Sequence, residues 1–381
     1  MLIEIKGVQF VNKGAELMLQ AIIDQVNKLW PDAEICMEPD QNSPYLKRAE
    51  IGAYQKLRLV KNRFDFNGVS YLVPKYLRQY LKTSLGIVTE ADVDMVLDAS
   101  GFLYGDQWNY LPLKQASLIA KRFKKKNKQY ILMPQALGPF SSLKYQQAAR
   151  VLTENVAVAF ARDSVSVNHV TELTAQSNVQ LAPDFTNLLV PELPSQYVYL
   201  KGQVAVIPNS KMISNSNKNT LWREKYIDVL VNAIEAAQAI NQKVFLLNHE
   251  GKGDQQICQQ INHKLAFPVE IVNPESCLAI KSIIGQCAWV ISSRYHGCVS
   301  ALSQNVPCLG TSWSHKYEQL FDDYGCKNWI LDASIDKTAL SGVISHFAES
   351  AEQNSAELSD YSADIKESAK LVWSTISNEL N

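Results

Sequence analysis

Short apolar runs alternate with longer stretches of helical period over most of the 381 residues, a rhythm that predicts strands and helices in turn. Leu2–Phe10 reads as a strand, and after the loop Val11-Asn12-Lys13-Gly14 a helix is expected from about Ala15 to Leu29. Further strands are expected at Asp94–Asp98, Tyr130–Met133 and Val156–Ala161, with helices around Leu113–Phe123 and Ser164–Leu173. Between Pro183 and Lys201 the helical period fades while Pro183, Pro191 and Pro194 gather, which marks a linker. A second series follows, with strand Gln203–Ile207, helix Tyr226–Ile240, and strands Lys243–Asn248, Ala288–Ser292 and Val306–Gly310. The residues from about Ser355 to Asn381 read as one more helix. This pattern predicts an α/β fold of two doubly wound halves facing a cleft, divided as 1–195 and 196–350 with a helical tail 351–381. In open parallel sheets ligands sit beyond the carboxyl ends of the strands, so the candidate chemistry belongs to the loops that leave them.

Composition changes this picture little. Apolar residues at 46% and charged residues at 20% exclude a disordered, collagen-like or disulfide-scaffold chain. With 37 Lys and Arg against 38 Asp and Glu, no global basic field points to nucleic acid. No apolar run approaches the roughly 20 residues that span a bilayer, and the first residues lack a signal-peptide pattern. The seven cysteines form no C-x-x-C pair and lie mostly beside apolar residues. Buried reduced thiols in a cytoplasmic protein are therefore expected.

The densest chemical signal is Ile291-Ser292-Ser293-Arg294-Tyr295-His296-Gly297, where a buried-type strand stops and a small-residue helix begins. A helix start adds free backbone N–H groups and partial positive charge. There Arg294 can fork onto a carboxylate or phosphate, and His296 can exchange a proton near neutral pH. The alternative is structural: Arg294 pairs with a core carboxylate and His296 caps the helix. Downstream, Val306–Lys316 again runs from strand into a polar turn and delivers His315 and Lys316, the latter as a point charge for phosphate.

The ordered set of elements resembles the polysaccharide pyruvyl transferase family. Its Ser-Arg-x-His-Gly motif is matched at 293–297, followed by the Val306-Pro307 turn and Lys316. Arg162-Asp163-x-x-Ser166, Pro183-Asp184 and the N-terminal loop Asn12-Lys13-Gly14-Ala15-Glu16 are similar to further family elements. Ser100–Asp106 stands where the family carries a glycine-rich strand-end loop, although Ala99-Ser100-Gly101 replaces the usual Gly-Gly pair and Tyr295 replaces a common Leu.

The resemblance implies a glycosyltransferase-B-like fold of two Rossmann-like domains, the first on the acceptor side and the second on the donor side. It implies phosphoenolpyruvate as donor, a sugar or oligosaccharide acceptor that includes lipid-linked forms, and a pyruvate ketal as product. Such a reaction needs cations or helix N-termini for the donor, an acid for its methylene carbon and a base for a sugar hydroxyl. It requires no metal. On that demand His296 is the expected acid, with Arg294, Tyr295, His315 and Lys316 on the donor. Asp106 is the expected base, with helix capping as its structural alternative. Tyr104 and Trp108 are candidates to stack on a sugar ring, against plain packing. Further substrate-binding candidates are Asn12, Gly14 and Glu16, His249 and Glu250, and Asn209 and Lys211.

Two basic stretches stand apart. Lys121–Lys128 holds six cations at an expected helix end, and Tyr54–Lys82 carries seven basic residues against one acid, interleaved with tyrosines. The first reads as a solvated face; the second suits anionic lipid or an anionic glycan, which would bring the chain to the inner face of a membrane. A homodimer is the base-rate expectation. Two rival readings remain, a nucleotide-sugar glycosyltransferase on the same frame and a non-catalytic glycan- or phosphate-binding protein. A dehydrogenase is disfavoured because no G-x-G-x-x-G follows a strand.

Overall fold

The computed structural model describes residues 1–61, 64–312 and 315–379, the side chain of His315 excepted. Two compact units form. Unit 1 comprises Met1–Val11, Met18–Phe185 and the residues from Ser368 onward; unit 2 comprises Asn12–Leu17 and Thr186–Glu367.

Unit 1 holds strands β1 (Leu2–Lys6), β2 (Glu34–Met37), β3 (Tyr54–Lys56), β4 (Val60–Lys61), β5 (Phe64–Asp65) and β6 (Ile87–Val88). It continues with β7 (Met95–Asp98), β8 (Gln129–Gln135), β9 (Val158–Ala161) and β10 (Val179–Leu181). All but β4 and β5 join one parallel sheet in the order β10-β9-β8-β7-β1-β2-β3-β6, while β4 and β5 pair antiparallel. Its helices are α1 (Lys13–Leu29, whose first turn groups with unit 2), α2 (Tyr45–Glu50), α3 (Lys75–Leu85), α4 (Tyr110–Lys125), α5 (Leu143–Asn155) and α6 (Ser164–Thr171).

Unit 2 holds β11 (Val204–Ile207), β12 (Val244–Leu247), β13 (Glu270–Val272), β14 (Trp289–Ser292), β15 (Cys308–Thr311) and β16 (Ile330–Leu331). They form one parallel sheet in the order β13-β12-β11-β14-β15-β16. Its helices are α7 (Thr220–Ala239), α8 (Gly251–Lys264), α9 (Cys277–Ile284), α10 (Tyr295–Leu302), α11 (His315–Asp323) and α12 (Lys337–Glu349); α13 (Ala351–Asn378) begins in unit 2 and ends in unit 1.

The apolar runs are continuous rather than alternating because both sheet faces are covered. In β11, Val204 and Val206 pack with Trp222, Tyr226 and Leu230 of α7, whereas Ala205 and Ile207 pack on the other face with Val299 and Leu302 of α10. Each unit is thus a Rossmann-like layer structure, and the α/β expectation stands. All seven cysteines are buried free thiols. Among the described residues no helix is long and apolar enough to cross a membrane.

Boundaries shift where backbone chemistry intervenes. β1 ends at Lys6, short of Phe10, since Gly7 turns at φ +79° and passes against Ser100 too closely for any side chain. α7 starts at Thr220 rather than Tyr226, because Asn219 accepts from the Trp222 N–H and caps an additional turn. The stretch expected as a linker contains two short 3-10 turns, Phe185–Leu188 and Ser195–Leu200.

Candidate functional site

Chain growth in the second sheet reverses at β11: β12 and β13 add on one side, then β14 and β15 on the other. This is the switch point at which open α/β sheets leave a crevice beyond the strand ends. Asn209, His249, Glu250, Arg294 and His296 all follow strands that meet there.

Ser293 ties the loops together. Its buried hydroxyl accepts from Tyr226 Oη and Thr311 Oγ1, each at 2.6 Å. Its carbonyl accepts from Asn209 Nδ2 and Tyr317 Oη, each at 2.9 Å. Four elements distant in sequence are thereby locked onto the residue before Arg294.

Arg294 takes the N-cap position of α10, with its side chain 13% exposed. Its Nε and Nη2 donate to the two oxygens of Asp254 at 2.8 and 2.6 Å, and Nη1 donates to Glu250. Burial alone would push this guanidinium down; Asp254 and then Glu250 reverse that and hold it charged. The fork expected for a donor anion is occupied by a carboxylate of the protein itself. Glu250 in turn accepts from Asn12 Nδ2 at 3.0 Å, and its burial raises its carboxyl above the usual range against the pull of Arg294. Asn12 also accepts from the Ala15 N–H through Oδ1, so one amide caps α1 and anchors Glu250. Lys13 pairs with Glu16 at 2.7 Å and donates to the carbonyl of Glu275, which keeps Glu16 on its own helix.

The imidazole of His296 rests on the backbone of Gly14: a Cβ there would clash with Nδ1 and come within 2.9 Å of Cε1. The Tyr295 ring meets it in a T-shaped contact, 5.5 Å between centroids. Lys316 lies over the same Tyr295 ring at 5.1 Å and over Tyr317 at 5.6 Å. An imidazole and an ammonium group therefore share one aromatic support. The side chain of His315, grouped with these in the sequence, lies outside the described residues.

His249 is buried, with Nδ1 lacking a hydrogen-bond partner. Burial, then the charges of Arg294, His296 and Lys13, lower its pKa well below the ordinary imidazole value. Such a ring is neutral at pH 7. Asn209 is buried and structural, capping Lys211 N–H while holding Ser293; Lys211 itself is exposed.

The remaining candidates belong to unit 1. Tyr104 is corrected from sugar stacking to core: it is buried, and its hydroxyl donates to Asp98 at 2.6 Å. Tyr130 donates to the same Asp98 oxygen, so two phenols and Ser100 surround a carboxylate that the sequence did not single out. Asp106 accepts from Ser141 N–H at 2.6 Å and Ser141 Oγ at 2.5 Å, while Asn109 performs the helix cap for α4. Trp108 is 47% exposed. A pocket of about 270 Å³ opens beyond β1 and β2, lined by Lys6, Gln9, Glu38, Asn42, Arg58 and Gln115 among others. Among the described residues no three His, Cys, Asp or Glu side chains gather as a metal site.

Asp254 and Tyr317 were also missed as contacts. The available signal was Glu250 and Asp254 at i and i+4, which faces two acids the same way at the start of one helix.

Known structures share this architecture. The chain is similar to the UDP-GlcNAc 2-epimerase of Neisseria meningitidis bound to UDP-GlcNAc, with TM-score 0.61, 11% identity and 99% of each chain covered. It is similar to a putative UDP-N-acetylglucosamine 2-epimerase of Listeria monocytogenes at TM-score 0.61 and 9% identity, covering 100% of this chain and 96% of that one. Anabaena HepE in complex with UDP-glucose matches at TM-score 0.59 and 14% identity, covering 100% of this chain and 99% of that one. These likenesses place the fold among glycosyltransferase-B-like proteins. No curated protein matches the sequence. The family model for polysaccharide pyruvyl transferase matches residues 12–315, a span that begins at the Asn12 cap and runs through Arg294 and His296, so the chain belongs to the polysaccharide pyruvyl transferase family.

Proposed function

We propose that the protein transfers the pyruvyl group of phosphoenolpyruvate to two hydroxyls of a glycan sugar. His296 gives a proton to the donor methylene, which becomes the methyl group. One sugar oxygen bonds to the central carbon, and the second replaces phosphate there, closing the ketal. The proton of the first hydroxyl goes to a carboxylate base, the role expected of Asp106 from the sequence, and the second leaves with phosphate, so diol plus enol phosphate yields ketal plus inorganic phosphate. Lys316 meets the phosphate. Arg294 acts as a positioning residue, since its donors serve Asp254 and Glu250 and fix the strand-end turn that presents His296. Trp108 is assigned to the acceptor ring, and the polar pocket beyond β1 and β2 to the glycan.

The observation that supports this most is the pairing of His296 and Lys316 through Tyr295 at the switch point. In a family of pyruvyl transferases, an acid beside a phosphate-binding cation matches what an enol phosphate demands. The test is incubation with phosphoenolpyruvate and a panel of galactosides, glucosides and N-acetylmannosaminides, following phosphate release and product mass. Phosphate release with a pyruvyl-ketal mass on one sugar is expected. Turnover with a UDP-sugar and none with phosphoenolpyruvate would overturn the donor assignment.

A further inference from the structure

The helix α3 buries little of itself. None of its residues is fully buried; Arg78, Leu81 and Lys82 are half-buried on its inner face, with ion pairs from Arg78 to Asp92 and from Lys82 to Glu34. Tyr76 and Tyr80, four apart and hence on one face, are 76% and 60% exposed. The residues leading into it behave likewise: Leu72 is 84% exposed, and Phe64 and Phe66 on and after the β4–β5 pair stand half or more in solvent with ring centroids 6.3 Å apart. A helix that shows two rings to water beside further exposed aromatic and leucine side chains leaves that apolar face uncovered, and clustered apolar exposure of this kind marks a contact surface.

The two basic stretches, separate in sequence, meet at this surface. Lys126 and Lys128 at the end of α4 lie over the ring of Tyr71, at 5.0 and 5.4 Å. Arg122 reaches back to Asp65 and Glu90, each at 2.6 Å, and both carboxylates are shielded. Asp65 and Glu90 are thus drawn inward by Arg122, and Asp92 and Glu34 are neutralised by Arg78 and Lys82. Lys56 is buried too, on Glu4 and Glu38, and so leaves the surface set. Lys61, Lys75, Lys121, Lys125 and Lys126 remain exposed; Lys75 directly precedes Tyr76 on α3, and Lys126 lies over Tyr71.

We propose that this face of unit 1 docks on a membrane surface carrying anionic lipid. The chemistry is complementary on both counts. Tyrosine, phenylalanine and leucine side chains suit the boundary between headgroups and acyl chains, and lysines on long stems reach the lipid phosphates. A second copy of the same face would set lysines against lysines, which disfavours self-association as the occupant. The inference does not depend on the donor chemistry.

The experiment is flotation of the full-length protein with phosphatidylglycerol-containing vesicles and with phosphatidylcholine vesicles. Recovery with the anionic vesicles several-fold above the neutral ones is expected, falling as salt rises. Y76S/Y80S and K75E/K126E should each cut recovery at least fivefold while keeping the wild-type melting temperature and soluble-acceptor turnover, because none of these side chains packs in the core. No flotation, equal recovery on both vesicles, or recovery unchanged by both variants would overturn the proposal. So would concentration-dependent dimerisation that Y76S/Y80S abolishes, which would make a second copy the occupant.

Discussion

The ring of His296 lies directly on the backbone of Gly14, with no room for even one methyl group between them. Gly14 sits in the first turn of α1, where alanine would ordinarily stabilise a helix by up to about 1 kcal/mol. Here the added carbon must displace the imidazole. Gly14→Ala is therefore expected to lower kcat/KM by about 100-fold, the scale of an ångström-level misplacement, with KM for the acceptor little changed. Steady-state kinetics beside a thermal melt would check it. Full activity would mean that His296 does not need this seat.

Lys316 offers a point charge supported on the Tyr295 ring. Lys316→Met keeps the stem over the aromatic but removes the ammonium group. The expected result is a rise in KM for phosphoenolpyruvate of about tenfold or more, since a charge-assisted contact contributes about 1.5–3 kcal/mol. Melting temperature should hold. A fall in kcat alone, with KM intact, would assign Lys316 to the chemical step instead of donor binding.

His249 gives acid sensitivity a defined window. In the folded chain it stays neutral well below the ordinary pKa of 6.5, because it is buried and faces Arg294, His296 and Lys13. The unfolded chain takes up a proton at about 6.5, so below that pH the unfolded state binds more protons and stability falls. The loss accumulates at up to about 1.4 kcal/mol per pH unit until the depressed pKa is reached. Glu250, raised in the folded state, works the other way at lower pH. Urea midpoints between pH 7.5 and 5.5 should therefore drop for wild type and drop less for His249→Asn. Parallel curves would contradict the reading of His249.

The site was legible in the sequence where it depended on strand ends and short motifs. Arg294 and His296 were found because a four-residue apolar strand stops beside them, and any strand end in a parallel sheet faces the crevice. What occupies Arg294 was not legible: its carboxylates lie 40 and 44 residues earlier on another strand–helix turn, and only the sheet order brings them together. Strand β3 and the edge strand β6, three and two residues long, are too short to show a period of two. The inward pairing of Lys56 on Glu4 likewise needed the fold, since a lysine in a basic run reads as solvated.

Tyr104 shows how an aromatic at a strand end can mislead. Its hydroxyl is one of three that converge on Asp98. Removing it leaves a buried carboxylate short of a donor rather than a sugar without a platform. Tyr104→Phe is expected to cost about 1–3 kcal/mol in chemical denaturation with acceptor KM unchanged. Trp108→Ala, on an exposed ring, should do the reverse and raise acceptor KM at constant stability. If Tyr104→Phe instead raised acceptor KM without loss of stability, the packing assignment would fail.

The Arg294–Asp254 pair makes the sharpest claim on stability. Asp254 is buried on Arg294 and also accepts from the Ser210 N–H at 2.9 Å, so its carboxylate joins the β11 loop, α8 and α10. Taking away the bidentate partner of a shielded pair leaves the guanidinium with Glu250 alone, an effect that approaches the roughly 3–5 kcal/mol of a broken buried pair. Asp254→Ala should approach that range, and Asp254→Asn, which keeps the Ser210 bond, should lose less. Arg294→Lys cannot fork onto two oxygens and should lower kcat more than stability, because the turn carrying His296 loosens while a charge remains. Denaturation curves and turnover for the three variants together separate the readings. Wild-type stability in Asp254→Ala would mean that the pair does not organise the loop, and a donor-binding role for Arg294 would then return.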